Sequence, residues 1–359
     1  MKENNWLTFI IFLTCLLCLF INNLLILFLL LELQTFCILI ILGGINDKNF
    51  ITKSTESSLK YLILSGLTSI FFLLGIFFIQ YGDIVFFINN QSIIPSFYGN
   101  LTSLFIIISL VFKFGMVPFH FWLLDIYESC SWTILSVVVT IPKLTYLIIL
   151  FRLNTSNSLI IILGLMNLAI GALGALNQVK IKRLLGYSSI NQSGFIILCL
   201  LLPKEVDFNI AILYVFVYFC SLLILMILLM NSKIEDNIFE ISKISLINKL
   251  LTAIIIINLF SLAGFPPFSG FLTKWIIILK FIQLNYNIVA FSLVLFSIIS
   301  LGYYLNLIKI SYFEYKKNFY TWTTIRKHRK TSNSNILHYF LTYFVVFLFI
   351  NPDLLFSFL

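Results

Sequence analysis

KFGMVPFHFW, residues 113–122, and AGFPPFSGFLTKW, residues 263–275, decide how this chain is read. Both carry the pentamer G-x-x-P-F, as Gly115-Met-Val-Pro118-Phe119 and as Gly264-Phe-Pro-Pro267-Phe268. Each sets a helix-breaking pair beside a lysine inside an apolar segment of membrane length, with Lys113 before the first break and Lys274 after the second. Glycine ends a helix by taking the left-handed conformation, and proline suits the first turn of the next. The pattern predicts two helices broken in mid-membrane, one at Gly115 and Pro118, the other at Gly264, Pro266 and Pro267. Backbone freed at that depth survives only where it is buried in protein or lines a wet cavity.

The rest of the chain supplies the membrane. Of 359 residues, 60% are hydrophobic and 10% charged, with a mean hydropathy of +1.06. A soluble protein would carry roughly 25% charged residues. The expectation is an all-α polytopic membrane protein forming a single membrane domain over 1–359. With about 20 apolar residues per span, eleven segments qualify: 6–21, 24–44, 59–79, 100–123, 132–152, 157–178, 187–203, 207–230, 249–283, 287–311 and 336–358. The ninth is too long for one straight helix and contains Pro266-Pro267.

The alternation of charge checks that count. Numbering the spans places 17 of the 23 Lys and Arg on the side of the N-terminus and only Arg152, Lys204 and Lys280 on the other, while Lys113, Lys143 and Lys274 lie within spans. The positive-inside rule makes the richer side cytoplasm or mitochondrial matrix. The run IRKHRK (Ile325–Lys330) then reads as an orientation determinant or lipid-headgroup contact rather than a nucleic-acid site. Cys15-Leu-Leu-Cys18 lies in an apolar helix core and reads as packing. His120, His328 and His338 are too scattered for a metal site, and no Gly-rich phosphate loop is present, so no metal or redox cofactor is expected in this chain. The opening MKENN has neither a cleavage site after its first apolar stretch nor an arginine-rich presequence, which suits a protein made inside its own compartment.

Four ionisable residues fall near mid-span: Glu32, Lys113, Lys143 and Lys274. Each costs about 2.5–3.5 kcal/mol at a bilayer centre on insertion scales. Two readings account for them. They are paired structural charges holding helices together, with Glu32 partnering one lysine, or they form a buried path for protons, since lysine titrates readily when desolvated. The breaks favour the path, because discontinuous helices at corresponding places in two halves point to an inverted-repeat transporter. The fourth span and the ninth run in opposite directions, and both lysines fall on the same side of their breaks. The repeats are expected at 6–152 and 157–311, followed by a basic loop and a last helix over 312–359. His120 is either a further proton stop or a histidine satisfied by a neighbouring carbonyl. Asp125 and Glu128 are expected to face water at the charged side, and Pro142 to kink the helix beside Lys143.

KFGMVPFHFWLLDIYE (Lys113–Glu128), LNQVKIKRLLGYSSINQSGF (Leu176–Phe195) and SLAGFPPFSGFLTKW (Ser261–Trp275) together resemble the antiporter-like subunits of the proton-pumping NADH:ubiquinone oxidoreductase, respiratory complex I, a family shared with multisubunit Na+/H+ antiporters. The resemblance runs in order over essentially the whole chain. It implies two inverted five-helix repeats, each with one discontinuous helix. It also implies proton-translocating roles for Glu32, Lys113, Lys143 and Lys274.

The chain departs from the family pattern in places. Trp122-Leu-Leu-Asp125 stands for a usual WLPD, Ser131-Trp132-Thr133 for a Pro-Thr-Pro-like stretch, and Gln192 for a frequent histidine. In place of a Lys or His in the span over 207–230, the chain has Tyr214, Tyr218 and Ser221, so relay candidates are His120, Tyr218 and Ser221, bridged by water. The chain begins where the fourth helix of fourteen-helix relatives would, as shortened mitochondrial forms do. The resemblance therefore implies a mitochondrial inner-membrane subunit with its N-terminus in the matrix and its C-terminus facing the intermembrane space. Its partners would be other membrane-arm subunits, including neighbouring antiporter-like ones, and lipid. NADH, FMN, iron–sulfur clusters and ubiquinone would be bound by other subunits. A scaffold subunit of the arm and a free-standing cation/proton antiporter are the rival readings.

Overall fold

The computed structural model describes residues 2–44, 51–81, 96–153, 157–203, 208–232, 237–242 and 249–312. Among them are twelve α-helices, two short 3-10 turns (Cys199–Leu201 and Ile238–Ile241) and an isolated bridge between Lys180 and Asn237. The helices are α1 (Lys2–Phe20), α2 (Leu24–Gly43), α3 (Ile51–Tyr81), α4 (Ser96–Phe114), α5 (Phe121–Ser129), α6 (Trp132–Arg152), α7 (Asn157–Leu176), α8 (Ile181–Leu198), α9 (Phe208–Ser232), α10 (Lys249–Ala263), α11 (Ser269–Gln283) and α12 (Asn287–Tyr312). Seven (α2, α3, α6, α7, α8, α9 and α12) contain a stretch long and apolar enough to cross a membrane; α1, α4 and α10 carry shorter apolar stretches. The expected last segment, 336–358, lies outside the described residues, as does IRKHRK.

Polarity is arranged inside out relative to a soluble protein. Phe9, Phe36, Ile63 and Phe291 point outward, while Gln34, Thr145, Asn191 and Ser300 are fully buried. Hydroxyls inside the helices mostly donate to the carbonyl three residues back, as Thr14 to Ile11 (2.8 Å), Ser109 to Ile106 (2.7 Å) and Ser193 to Ile190 (2.6 Å). Where no water competes, this keeps a polar side chain satisfied by its own helix.

The chain divides into two compact units, 1–167 and 168–359, with the boundary inside α7. Each contains one broken helix. In the first unit, α3 packs along α2, α4 and α5, and α6 on α1, α2 and α4. Gln34 bridges α1 and α6, its amide donating to the Ile11 carbonyl (3.4 Å) and its oxygen accepting from Thr145 (2.9 Å). Arg152 donates to the carbonyls of Cys18 (3.0 Å), Ile21 (2.8 Å) and Leu19, which caps the end of α1. That explains one positive charge on the otherwise poor side. Helix α3 begins eight residues before the expected span, because its polar first turns are held by ion pairs. Lys53 meets Glu128 at 3.2 Å, and Lys60 meets Glu56 at 2.8 Å and Asp125 at 3.0 Å. The Glu128 side chain is only 11% exposed, so it is a packed counter-charge tying α5 to α3 rather than a water-facing one.

In the second unit, α9 and α12 flank α10 and α11. Helices α7 and α8 approach closely at glycine. A Cβ on Gly171 would sit 2.4 Å from the Asn191 backbone nitrogen, and one on Gly174 2.4 Å from the Tyr187 ring. Such small-residue contacts let helices associate where lipid supplies no hydrophobic drive. Helix α8 starts at Ile181, six residues before the expected span, which buries Lys182.

Candidate functional site: lysines at two helix breaks

Both breaks end their first half-helix in the same way. Gly115, at φ +77°, donates to the Phe112 carbonyl (2.8 Å) while Met116 reaches back to Val111 (3.0 Å). Gly264, at φ +81°, donates to Ser261 (3.1 Å) while Phe265 reaches Phe260 (3.1 Å). This is a Schellman ending, and it needs the positive φ that glycine adopts without strain. Each break continues through a cis peptide, Val117-Pro118 and Pro266-Pro267. Phe112 stacks on Trp122, and Phe260 on Phe268, across the respective interruptions.

The two breaks satisfy their freed backbone differently. The Val117 N–H is taken up by the side-chain oxygen of Asn167 on α7 at 2.8 Å. The second break closes on itself, Phe268 donating to Phe265 (3.1 Å) and Phe271 to Phe268 (3.0 Å). Its second half-helix lies tight on the first, since a Cβ on Gly270 would fall 1.8 Å from the Ser261 carbonyl oxygen.

Lys113 occupies the last turn of α4, where unpaired carbonyls favour a cation. Its side chain is wholly buried, and Nζ meets Glu32 Oε1 of α2 at 2.7 Å. Thr35 steadies that region by donating to the Glu32 carbonyl at 2.8 Å. Lys143 follows Pro142 on α6 and is 4% exposed; its Nζ lies 5.6 Å from the centre of the Phe114 ring, next to Lys113 in sequence. A cavity of about 20 Å³ joins the two lysines, lined also by Tyr61, Trp122 and Tyr146. A water needs roughly 10–15 Å³ and two to four polar partners. The lysine Nζ atoms supply donors, and the buried Trp122 indole N–H, which lacks a hydrogen bond, supplies another. Pro142 cannot donate to the carbonyl of Val138, which lines the same space.

Lys274 reaches its break from the opposite direction, from the first turns of α11. Its Nζ donates to the carbonyls of Leu262 (3.1 Å) and Ala263 (3.0 Å), the last of α10, and lies 5.5 Å from the Phe195 ring centre. The lysine serves as a side-chain cap on the half-helix before it.

The remaining candidates lie on α5 and α9. His120 stands at the N-terminal boundary of α5, makes no capping bond, and lies against Phe121 and the Pro118 backbone. Tyr218 and Ser221 are buried on α9; Ser221 Oγ donates to the Tyr218 carbonyl at 2.8 Å, and the Ser221 carbonyl accepts from Asn258 at 2.8 Å. Gln192 connects to Lys274: its amide donates to the same Leu262 carbonyl at 3.2 Å and its oxygen accepts from Tyr214. Gln192 and Tyr214 stood out in the sequence only as a departure and a polar residue, and Asn167, within an apolar helix, was not singled out. Among the described residues no His, Cys, Asp and Glu group is placed to hold a metal.

Comparison with known proteins bears on the chain as a whole. Residues 21–300 match the family described as NADH:quinone oxidoreductase/Mrp antiporter, transmembrane. NADH-ubiquinone oxidoreductase chain 2 of Metridium senile is 30% identical over 93% of this chain and 90% of its own length, and its Anopheles gambiae counterpart 32% identical over 76% of each. The NADH-quinone oxidoreductase subunit N of Rickettsia typhi is 30% identical over 74% of this chain and 62% of its own. In fold, a chain of respiratory complex I from Thermus thermophilus superposes with a TM-score of 0.83 at 22% identity, covering 95% of this chain and 76% of that one. A chain of an archaeal membrane-bound sulfane sulfur reductase reaches 0.80 at 19% identity, over 97% and 73%. On the match over residues 21–300 and a relative covered over 90% of its own length, the chain belongs to the NADH:quinone oxidoreductase/Mrp antiporter transmembrane family.

Proposed function

We propose that this chain is an antiporter-like core subunit in the membrane arm of NADH:ubiquinone oxidoreductase, contributing to proton translocation coupled to quinone reduction. The observation that carries the reading is the Glu32–Lys113 pair at a helix break, opening onto a cavity shared with Lys143. A lysine held by one carboxylate on one side and a water-sized space on the other can exchange its proton when the carboxylate moves away. In a low dielectric such a separation changes its proton affinity strongly. Lys143 is placed to receive that proton through the cavity. Moving one charge against 100 mV requires about 2.3 kcal/mol, which the partner subunits must deliver by displacing charges near Glu32.

The chain is proposed to cross the mitochondrial inner membrane eleven times, with its N-terminus in the matrix. Two inverted five-helix repeats, 6–152 and 157–311, would each hold one broken helix. Its partners would be the other membrane-arm subunits, and the redox groups and ubiquinone would lie in those partners. One observation favours a scaffold reading instead: Lys274 is spent as a helix cap on two carbonyls. Lys113→Met in the assembled complex tests between them. Loss of most proton pumping with the complex intact is expected, and normal pumping would leave the scaffold reading standing.

A further inference from the structure

The second unit buries a polar cluster to which the mechanism above assigns nothing. Ser188, Asn191 and Gln192 are spaced i, i+3, i+4 and so share one face of α8. Tyr303 and Tyr304 of α12 pack against that face, their rings 4.5 Å apart. Asn191 and Tyr304 are 0% exposed and Tyr303 2%. Both polar side-chain atoms of Asn191 and both tyrosine hydroxyls lack a well-formed hydrogen bond. Asn191 and Tyr304 nevertheless lie within reach of Tyr303, and Ser188 and Gln192 within reach of Tyr304. These groups converge on one buried place with donors and acceptors left unmatched. Left dry, each such group costs about 1–3 kcal/mol. A bound water satisfies two to four of them at once.

We infer that Asn191, Tyr303 and Tyr304 form a buried hydration site that carries the proton path onward from Lys274. The inference rests on the proton-translocating reading above and extends it. Gln192 is the join. Its amide shares the Leu262 carbonyl with Lys274 Nζ, its oxygen holds the Tyr214 hydroxyl, and Tyr304 lies beside it. Gln192 does not titrate, so it is a positioning residue. The proton itself moves through water: the Lys274 ammonium gives one proton to a water and becomes a neutral amine, and that water's excess proton passes to the next. A tyrosine hydroxyl accepts one proton on its oxygen as it releases its own, so each step conserves charge and no electron moves. Asn191 supplies one acceptor and one donor to orient those waters.

The experiment uses the intact complex. A map of the wild-type assembly that resolves waters is expected to show at least one between the Asn191 carboxamide and the two tyrosine hydroxyls. Hydroxyls bonded directly to one another, with no water among them, would overturn the inference, and this arm holds even where variants fail to assemble. In assembled complexes, the double variant Tyr303→Phe with Tyr304→Phe is expected to lower protons pumped per electron several-fold while keeping Lys274. Full pumping in that variant alongside loss in Lys274→Met would refute the hydration path and leave the proposed function intact. Full pumping in both would show that no proton passes Lys274 and would refute this inference, while the proposed function is decided separately by Lys113→Met.

Discussion

Glu32 Oε1 and Lys113 Nζ meet at 2.7 Å, and the two partners are unequally buried: the lysine side chain is 0% exposed and the glutamate 19%. The pair joins α2 to the last turn of α4. Its asymmetry predicts an order of effects. Lys113→Met leaves a carboxylate that this chain only partly encloses, whereas Glu32→Gln leaves a fully buried amine facing a weaker acceptor. Removing one partner of a buried pair strands the other, so Glu32→Gln is expected to lower assembly more, by on the order of 1–2 kcal/mol. Complex abundance on native gels measures this. Both variants should lose pumping, and a Lys113→Met complex less abundant than Glu32→Gln would reverse the assignment of which group is stranded.

The paired glycines predict a second contrast. Alanine at either position forces a left-handed residue, costing about 1–2 kcal/mol. At Gly115 the new Cβ would meet the Leu123 side chain at 3.1 Å, which can yield. At Gly264 it would meet Lys274 Cδ at 2.9 Å and Nζ at 3.2 Å. Gly264→Ala should therefore cut pumping beyond its effect on assembly, by displacing Lys274 from its carbonyls, while Gly115→Ala should reduce both together. Pumping normalised to assembled complex separates them; equal normalised values would show that Lys274 need not stay where it is.

Much of this was legible in the sequence, for reasons that differ by residue. The breaks could be read because glycine followed by proline within an apolar run has few other meanings in lipid. The four mid-span charges stood out because their cost is paid only for a purpose. What periodicity cannot supply is the partner across space. Nothing in the sequence says that Lys274 ends on the Leu262 and Ala263 carbonyls rather than on a carboxylate, or that Glu128 turns inward to Lys53. Tyr303 and Asn191 escaped notice because tyrosine and asparagine in apolar helices look like packing until their hydroxyl and amide are found unsatisfied.

Asn167 shows how one uncharged residue supports a break. Its oxygen accepts the Val117 N–H at 2.8 Å, the donor freed where α4 stops. Asn167→Leu orphans a buried N–H, at about 1–3 kcal/mol, and should lower the melting temperature of the purified complex. Asn167→Asp keeps an acceptor at the same place and should fold better than the leucine variant. If leucine and aspartate behave alike, the hydrogen bond does not hold the break.

The sharpest prediction concerns the sign of charge at the second break. Lys274 Nζ donates to two carbonyl oxygens that end α10, at 3.1 and 3.0 Å, where the helix presents its negative pole. An ammonium offers three donors and suits that position; a carboxylate offers only acceptors. Lys274→Glu would place like partial charges together unless the glutamate takes a proton, and even then it can donate to only one carbonyl. Lys274→Met removes the donor without adding repulsion. Both should abolish pumping through this unit, but Lys274→Glu should assemble less well than Lys274→Met. Raising the pH should widen the gap, because it ionises the glutamate. The measurement is assembled complex and thermal stability of the two variants across pH 6 to 9, on the order of three units around neutrality. A glutamate variant as stable as methionine throughout would mean that the carbonyls turn away and that Lys274 is not the cap of this break.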